Sequence, residues 1–175
     1  MTQDFNFILL SQEWIKTKAT TVKPTTMAAY SLIIEKHLVP FYGDFERIGD
    51  SDIKNFIEKK MKEGLSAKSI KDIMVVLKMI LKFIKSKGYE VTSTDKILLP
   101  KEFRVKELPV FTIEQESKLL SYLNSNFSLK NLGIFICLNT GLRIGEICAL
   151  KWQDIDLERG FINVNKTLCR IYRSS

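Results

Sequence analysis

The chain is poor in histidine and cysteine, and it lacks long apolar runs. Among its 175 residues there is one histidine, His37, and three cysteines, Cys137, Cys148 and Cys169, none in a Cys-x-x-Cys pair. That leaves no zinc constellation and no disulfide framework, and reduced thiols with a structural role are expected. No apolar run approaches the roughly 18 residues needed to cross a bilayer. The first ten residues contain Asp4 and lack a basic stretch ahead of an apolar one, so no secretory signal is readable and a cytoplasmic protein with no membrane partner is expected. Internal repeats and low-complexity tracts are also missing. What is present is a normal apolar fraction of 45% and an excess of 27 basic over 20 acidic side chains, a formal charge of +7. Such a balance favours a polyanionic partner, but the distribution of charge has to decide it.

The pattern is mainly α. A first helix is expected over about Asp4 to Lys18, carrying Phe7, Leu10, Trp14 and Ile15. Pro24 opens a second, which places Met27, Tyr30, Ile34, Leu38 and Phe41 on one face until Gly43. His37 borders that face and reads as a core-edge residue without a chemical role. A third helix begins after Gly49, with Asp50 or Ser51 as N-cap, and presents Ile53, Phe56, Ile57 and Met61 before Gly64. The fourth runs from Ser66 to Gly88. Residues 91–110, with Pro100 and Pro109, read as a linker between a domain over 1–90 and a second over 111–175. Beyond it, Thr112 with Glu114 and Gln115 opens a helix bearing Ile113, Leu119, Leu120 and Leu123. Leu132 to Leu138 reads as a buried helix, Ile144 to Leu150 as a short one, and Phe161 to Val164 as a strand.

On the fourth helix, charge and apolar groups separate when positions are set about 100° apart. Relative to Lys71, the residues Lys78, Lys82 and Lys85 fall within about 40° and Lys68 within about 60°. The stripe they form contains no acidic partner, whereas a face selected only for solubility mixes signs and gains from Glu-to-Lys pairs. Like charges crowded this way are neutralised by phosphates, and Ser66 and Ser69 at the helix start add hydroxyl and backbone N–H donors.

The stretch Thr140-Gly141-Leu142-Arg143-Ile144-Gly145-Glu146-Ile147-Cys148-Ala149-Leu150-Lys151-Trp152-Gln153-Asp154-Ile155-Asp156 resembles, nearly position for position, the first active-site box of the tyrosine recombinases, or phage-type integrases. That box has the form T-G-[LM]-R-x-[SG]-E-[IL]-x-x-L-x-W-x-D-[IV]-D. Gly141 permits a tight turn, so that Arg143 is expected in the first turn of the next helix, where a guanidinium forks across two phosphate oxygens and stabilises charge building on them. Glu146, three residues on, shares its face. The resemblance implies Arg143 as the first catalytic arginine and Glu146 as its buttress. Leu150, Trp152 and Ile155 read as core anchors, and Asp154 and Asp156 as caps of the turn leading to the strand, with no metal or other cofactor implied.

The resemblance reaches the N-terminal half less sharply. Lys23-Pro24-Thr25-Thr26 with Tyr30, then Gly43, Gly64-Leu65-Ser66 and Ser69-Ile70, is similar to the four-helix SAM-like core-binding domain that clamps DNA ahead of an α+β catalytic domain. By that analogy the second and fourth helices face double-stranded DNA, with Lys23, Thr25, Thr26, Lys68, Ser69, Lys71, Lys78 and Lys82 as contacts. Further protomers, a tetramer in the family, are the implied protein partners. The Asn-Pro often found after the fourth helix is replaced by Thr94-Asp95-Lys96. The family's His-x-x-Arg box and late nucleophilic tyrosine have no match in these residues. Lys166 falls earlier than the family's hairpin lysine, and Tyr172 follows Arg143 too closely to be the nucleophile. The expectation is therefore a truncated catalytic domain that does not cleave DNA alone. Two other readings are a noncatalytic DNA-binding regulator on the same scaffold and a helical module whose basic face meets an acidic protein.

Overall fold

The computed structural model describes residues 5–92 and 108–171. Most of the linker predicted over 91–110, including Thr94-Asp95-Lys96 and Pro100, lies outside the described residues, as does Tyr172. The chain divides into two compact units, within Met1–Val105 and within Lys106–Arg170. Both follow the mainly α pattern of the sequence.

In the first unit, α1 (Phe7–Ala19) starts where the Asn6 side chain accepts the Leu9 N–H at 3.0 Å. It buries Phe7, Leu10 and Trp14. The next helical stretch is not the single regular helix that the apolar spacing predicts. It consists of α2 (Pro24–Ile33), a π turn over Ile34–Leu38 and α3 (Val39–Tyr42). Pro40 supplies the physical reason, since it offers no N–H and its ring crowds the carbonyl four residues back. The wider turn before it lets Ile34, Leu38 and Tyr42, at steps of four, all enter the core. Tyr42 stacks with Phe7 at 5.5 Å and with Phe56 at 5.3 Å between ring centroids.

The N-cap of α4 (Asp50–Lys62) is Gly49, neither Asp50 nor Ser51, and the Asp52 carboxylate accepts the Gly49 N–H at 2.8 Å. Ile53, Phe56 and Ile57 are buried as expected, but Met61 is 52% exposed. The inward position is taken by the stem of Lys60, whose ammonium donates to Glu63 at 2.8 Å and lies 5.6 Å from the centre of the Phe56 ring. Gly64, at φ +83°, ends the turn that follows. The longest element, α5 (Ala67–Ser86), is capped by the Ser66 hydroxyl accepting the Ser69 N–H at 3.1 Å. It buries Ile70, Ile73, Met74, Val76, Leu77, Ile80, Leu81 and Ile84, and packs against α1, α2, α4 and the π turn.

In the second unit, α6 (Ile113–Ser125) opens on a reciprocal cap: Thr112 Oγ1 accepts the Gln115 N–H at 3.2 Å while the Thr112 N–H donates to Gln115 Oε1 at 3.0 Å. It is followed by α7 (Leu129–Thr140), the single turn α8 (Ile144–Ile147), a 3₁₀ turn (Trp152–Asp154), and the short antiparallel pair β1 (Ile155–Asp156) and β2 (Phe161–Ile162). Ile155 pairs with Ile162 and Asp156 with Phe161. Asp154 accepts the Lys151 N–H at 3.0 Å and Asp156 the Arg159 N–H at 2.9 Å, the capping roles read from the sequence.

The apolar anchors of this unit differ from expectation. No residue of α7 is buried, Trp152 is 81% exposed, and Leu150 and Ile155 are only half-buried. Two helices, two tight turns and a two-residue hairpin offer too little opposing surface to cover these groups, and among the described residues only Leu123 is buried there as an apolar side chain. Cys137, Cys148 and Cys169 are exposed rather than structural core thiols.

Candidate functional site

The loop between α7 and α8 is set by glycine. Gly141 terminates α7 at φ +68°, in the left-handed region, and its N–H reaches the Cys137 carbonyl at 2.9 Å. The reversal presents Arg143 as the N-cap of α8, one residue ahead of the first-turn position expected from the sequence. Because α8 is a single turn, the contribution expected of a helix dipole is small. Glu146 dominates instead: its Oε2 accepts the Arg143 backbone N–H at 2.9 Å, and its Oε1 accepts from the Arg143 Nη1 at 3.4 Å. The carboxylate side chain is 21% exposed and the arginine side chain 85% exposed. One carboxylate therefore holds both ends of Arg143 while most of the five guanidinium N–H donors face outward.

The segment after β2 closes against this turn. The Leu168 N–H donates to the Gly145 carbonyl at 2.8 Å, and a Cβ at position 145 would come within 2.7 Å of both Thr167 Oγ1 and the Leu168 carbonyl oxygen. Lys166 adjoins that contact in sequence and is exposed.

In the first unit, Lys68, Lys71, Lys82 and Lys85 are exposed along α5 and Lys78 is half-buried. None of them forms an ion pair with a described residue. The stripe also holds Val75, 48% exposed, which the sequence reading gave to neither the basic nor the buried side. Its signal was available: it lies about 40° from Lys71. Ser69 sits about 160° from Lys71, off the stripe, with its hydroxyl 2.9 Å from that of Ser66. Lys87 is off the stripe too. It pairs with Glu13 on α1 and lies 5.3 Å from the centre of the Phe83 ring. At the start of α2, Lys23 is an exposed N-cap residue without a side-chain capping bond, Thr25 is exposed and Thr26 half-buried. His37 is half-buried, and its Nδ1 has no hydrogen-bond partner among the described residues. Burial, with Lys60 nearby, holds its pKa below 6.5.

Among the described residues, no group of three histidine, cysteine, aspartate or glutamate side chains is placed to hold a metal ion. None of the described helices is long and apolar enough to cross a membrane.

Two family models match the chain: the phage integrase N-terminal SAM-like domain over residues 7–61 and the phage integrase family over residues 109–173. The ICEBs1 integrase of Bacillus subtilis is 30% identical over 155 residues, covering 83% of this chain and 40% of the relative. The tyrosine recombinase XerA of Thermococcus onnurineus is 31% identical over 142 residues, covering 81% of this chain and 47% of the relative. Among solved structures, the Tn1549 transposon integrase in complex with transposon right end DNA shares the fold with a TM-score of 0.68 at 22% identity, over 88% of this chain and 50% of that one. The chain thus spans about half the length, or less, of these relatives.

Proposed function

Because the chain belongs to the phage integrase family of tyrosine recombinases, we propose that it is the DNA-binding portion, with the first active-site box, of an enzyme that breaks and rejoins DNA at specific sites. The inferred reaction is transesterification. A tyrosine hydroxyl gives up its proton and attacks a phosphodiester, a 3′-phosphotyrosyl bond forms as the bond to the 5′-oxygen breaks, and that oxygen takes up a proton and leaves as a 5′-hydroxyl, until a partner strand's 5′-hydroxyl reverses the exchange. Phosphate energy is conserved, so no nucleotide cofactor is needed.

In this reading Arg143 binds the nonbridging oxygens of the reacting phosphate and Glu146 positions it. The outward guanidinium, whose Nη1 donates to Glu146 at 3.4 Å while the same carboxylate accepts the Arg143 backbone N–H at 2.9 Å, supports that assignment, since a donor fixed before charge develops needs no reorganisation. The nucleophile is assigned to none of the tyrosines in these 175 residues, which also lack a His-x-x-Arg sequence, their one histidine being followed by Leu38, Val39 and Pro40. Duplex DNA is the partner, and further protomers assemble on it.

The observation that carries DNA binding is the stripe of lysines on α5, turned away from the core and without acidic partners among the described residues. If three of them meet phosphates, each contributes roughly 0.9 to the slope of log affinity against log salt. Replacing Lys71, Lys78 and Lys82 together with Gln should flatten that slope by roughly 2 to 3 units, as read by anisotropy of a labelled duplex across a salt series. Lys87 is a poor control because it pairs with Glu13, so Lys54→Gln, an exposed position on α4, serves instead. Equal slopes for wild type, triple variant and control would reject the stripe as the DNA contact.

A further inference from the structure

The most unusual position on the exposed side of α5 is the one that carries an exposed apolar side chain. Val75 lies about 40° from Lys71, between Lys82 at about 20° and Lys68 at about 60°, nearly opposite the middle of the arc that enters the core. It is 48% exposed. A lone exposed apolar side chain is ordinary on a protein surface, and a valine is no help to a helix, where its branched Cβ restricts χ1. The position is what distinguishes it. Lys71 precedes it by about 6 Å along the axis and Lys78 follows by about 4.5 Å, so Val75 occupies the centre of the basic strip.

We propose that Val75 is a specificity-determining residue that reads the C5-methyl group of a thymine in the major groove; this rests on the DNA-binding reading above. Flanking lysines carry their charge on long flexible stems and reach outward to phosphates, which leaves the short side chain between them facing the base edges. Valine has no donor or acceptor, so it gains nothing from a phosphate or from the hydrogen-bonding edge of a base. The thymine methyl is the one apolar group displayed in the major groove, and the minor groove displays none. A side chain confined to one rotamer in the helix loses little freedom on contact.

The test starts from a pool of random-sequence duplexes. The 175-residue chain is used to enrich the sequences it binds, and each thymine of the best duplex is then replaced singly by uracil, which lacks only the C5-methyl group. For wild type, one replacement should weaken binding about fourfold, the worth of burying one methylene-sized group. For Val75→Ser that replacement should have no effect, while the salt slope, set by the lysines, stays as in wild type. Indifference of the wild type to uracil at every position would overturn the proposal, and so would a uracil effect that survives in Val75→Ser. In either case salt-sensitive duplex binding would remain, and the proposed function with it. Absence of salt-sensitive binding to any duplex would overturn both.

Discussion

Glu146 holds Arg143 twice, and the spacing that allows it is visible in the sequence because residues three apart share a helical face. What the spacing did not reveal is that the backbone N–H is the closer of the two contacts, which follows from Arg143 being the N-cap. His37 shows the opposite case. Its position at the edge of an apolar face was readable, but its surroundings were not, because the charges of Lys60 on α4 and of Glu63, the residue that caps it, act on the ring from more than twenty residues away in sequence. Burial first, then the Lys60 ammonium, depress its pKa below 6.5, so the folded state favours neutral imidazole. The unfolded chain then binds a proton that the folded chain resists, and stability is lost as pH falls from about 6.5 to the lower folded value, levelling off beneath it. Glu63, whose pKa is held below 4.5 by the hydrogen bond from Lys60, acts only in a more acidic window. The urea midpoint should therefore fall between pH 7 and pH 5 in wild type and fall less in His37→Gln. An equal fall in both proteins would remove His37 as the cause.

Among the elements, caps made by serine and threonine were legible: Ser66 and Thr112 were both read as helix starts, and both side chains accept the expected backbone N–H. Two features were hidden. Pro40 lies within an otherwise regular apolar pattern, and the period of that pattern gives no sign that a π turn will absorb the proline. At α4, Asp50 and Ser51 are both good N-cap residues, yet the chain uses Gly49 with the Asp52 carboxylate reaching back, and Asp50 instead bonds the Thr92 hydroxyl. The two assignments predict different mutants. Asp52→Ala should cost about 1 kcal/mol of stability, the usual size of a lost capping interaction, whereas Ser51→Ala should leave the urea midpoint unchanged. A loss for Ser51→Ala that matches the loss for Asp52→Ala would return the cap to the position the sequence suggested.

At the scale of the whole chain, what the sequence withholds is whether an apolar face is covered. Both α5 and α7 carry apolar side chains through most of their length, yet Ile73, Leu77 and Ile80 on α5 are buried whereas Ile134, Phe135 and Leu138 on α7 are half-buried or exposed. Periodicity reports which side of a helix is apolar, and only the rest of the fold decides what lies against it. Among the described residues, eighteen of the nineteen buried apolar side chains belong to α1–α5 and the segments among them, and Leu123 alone to the second unit. Since apolar burial is the main favourable term in folding, the two units should differ widely in opening free energy within one molecule. Amide hydrogen exchange on the 175-residue chain should show the buried turns of α1, α4 and α5 protected as one cooperative group, while α6 and α7 exchange faster by at least about tenfold, the factor that corresponds to 1.4 kcal/mol. A dye that binds exposed apolar surface should bind the native chain, and the signal should fall on Phe135→Ser in α7 but not on Val75→Ser in α5. Comparable protection across α5, α6 and α7 would mean that the second unit closes a core of its own, and that its apolar groups are covered in solution.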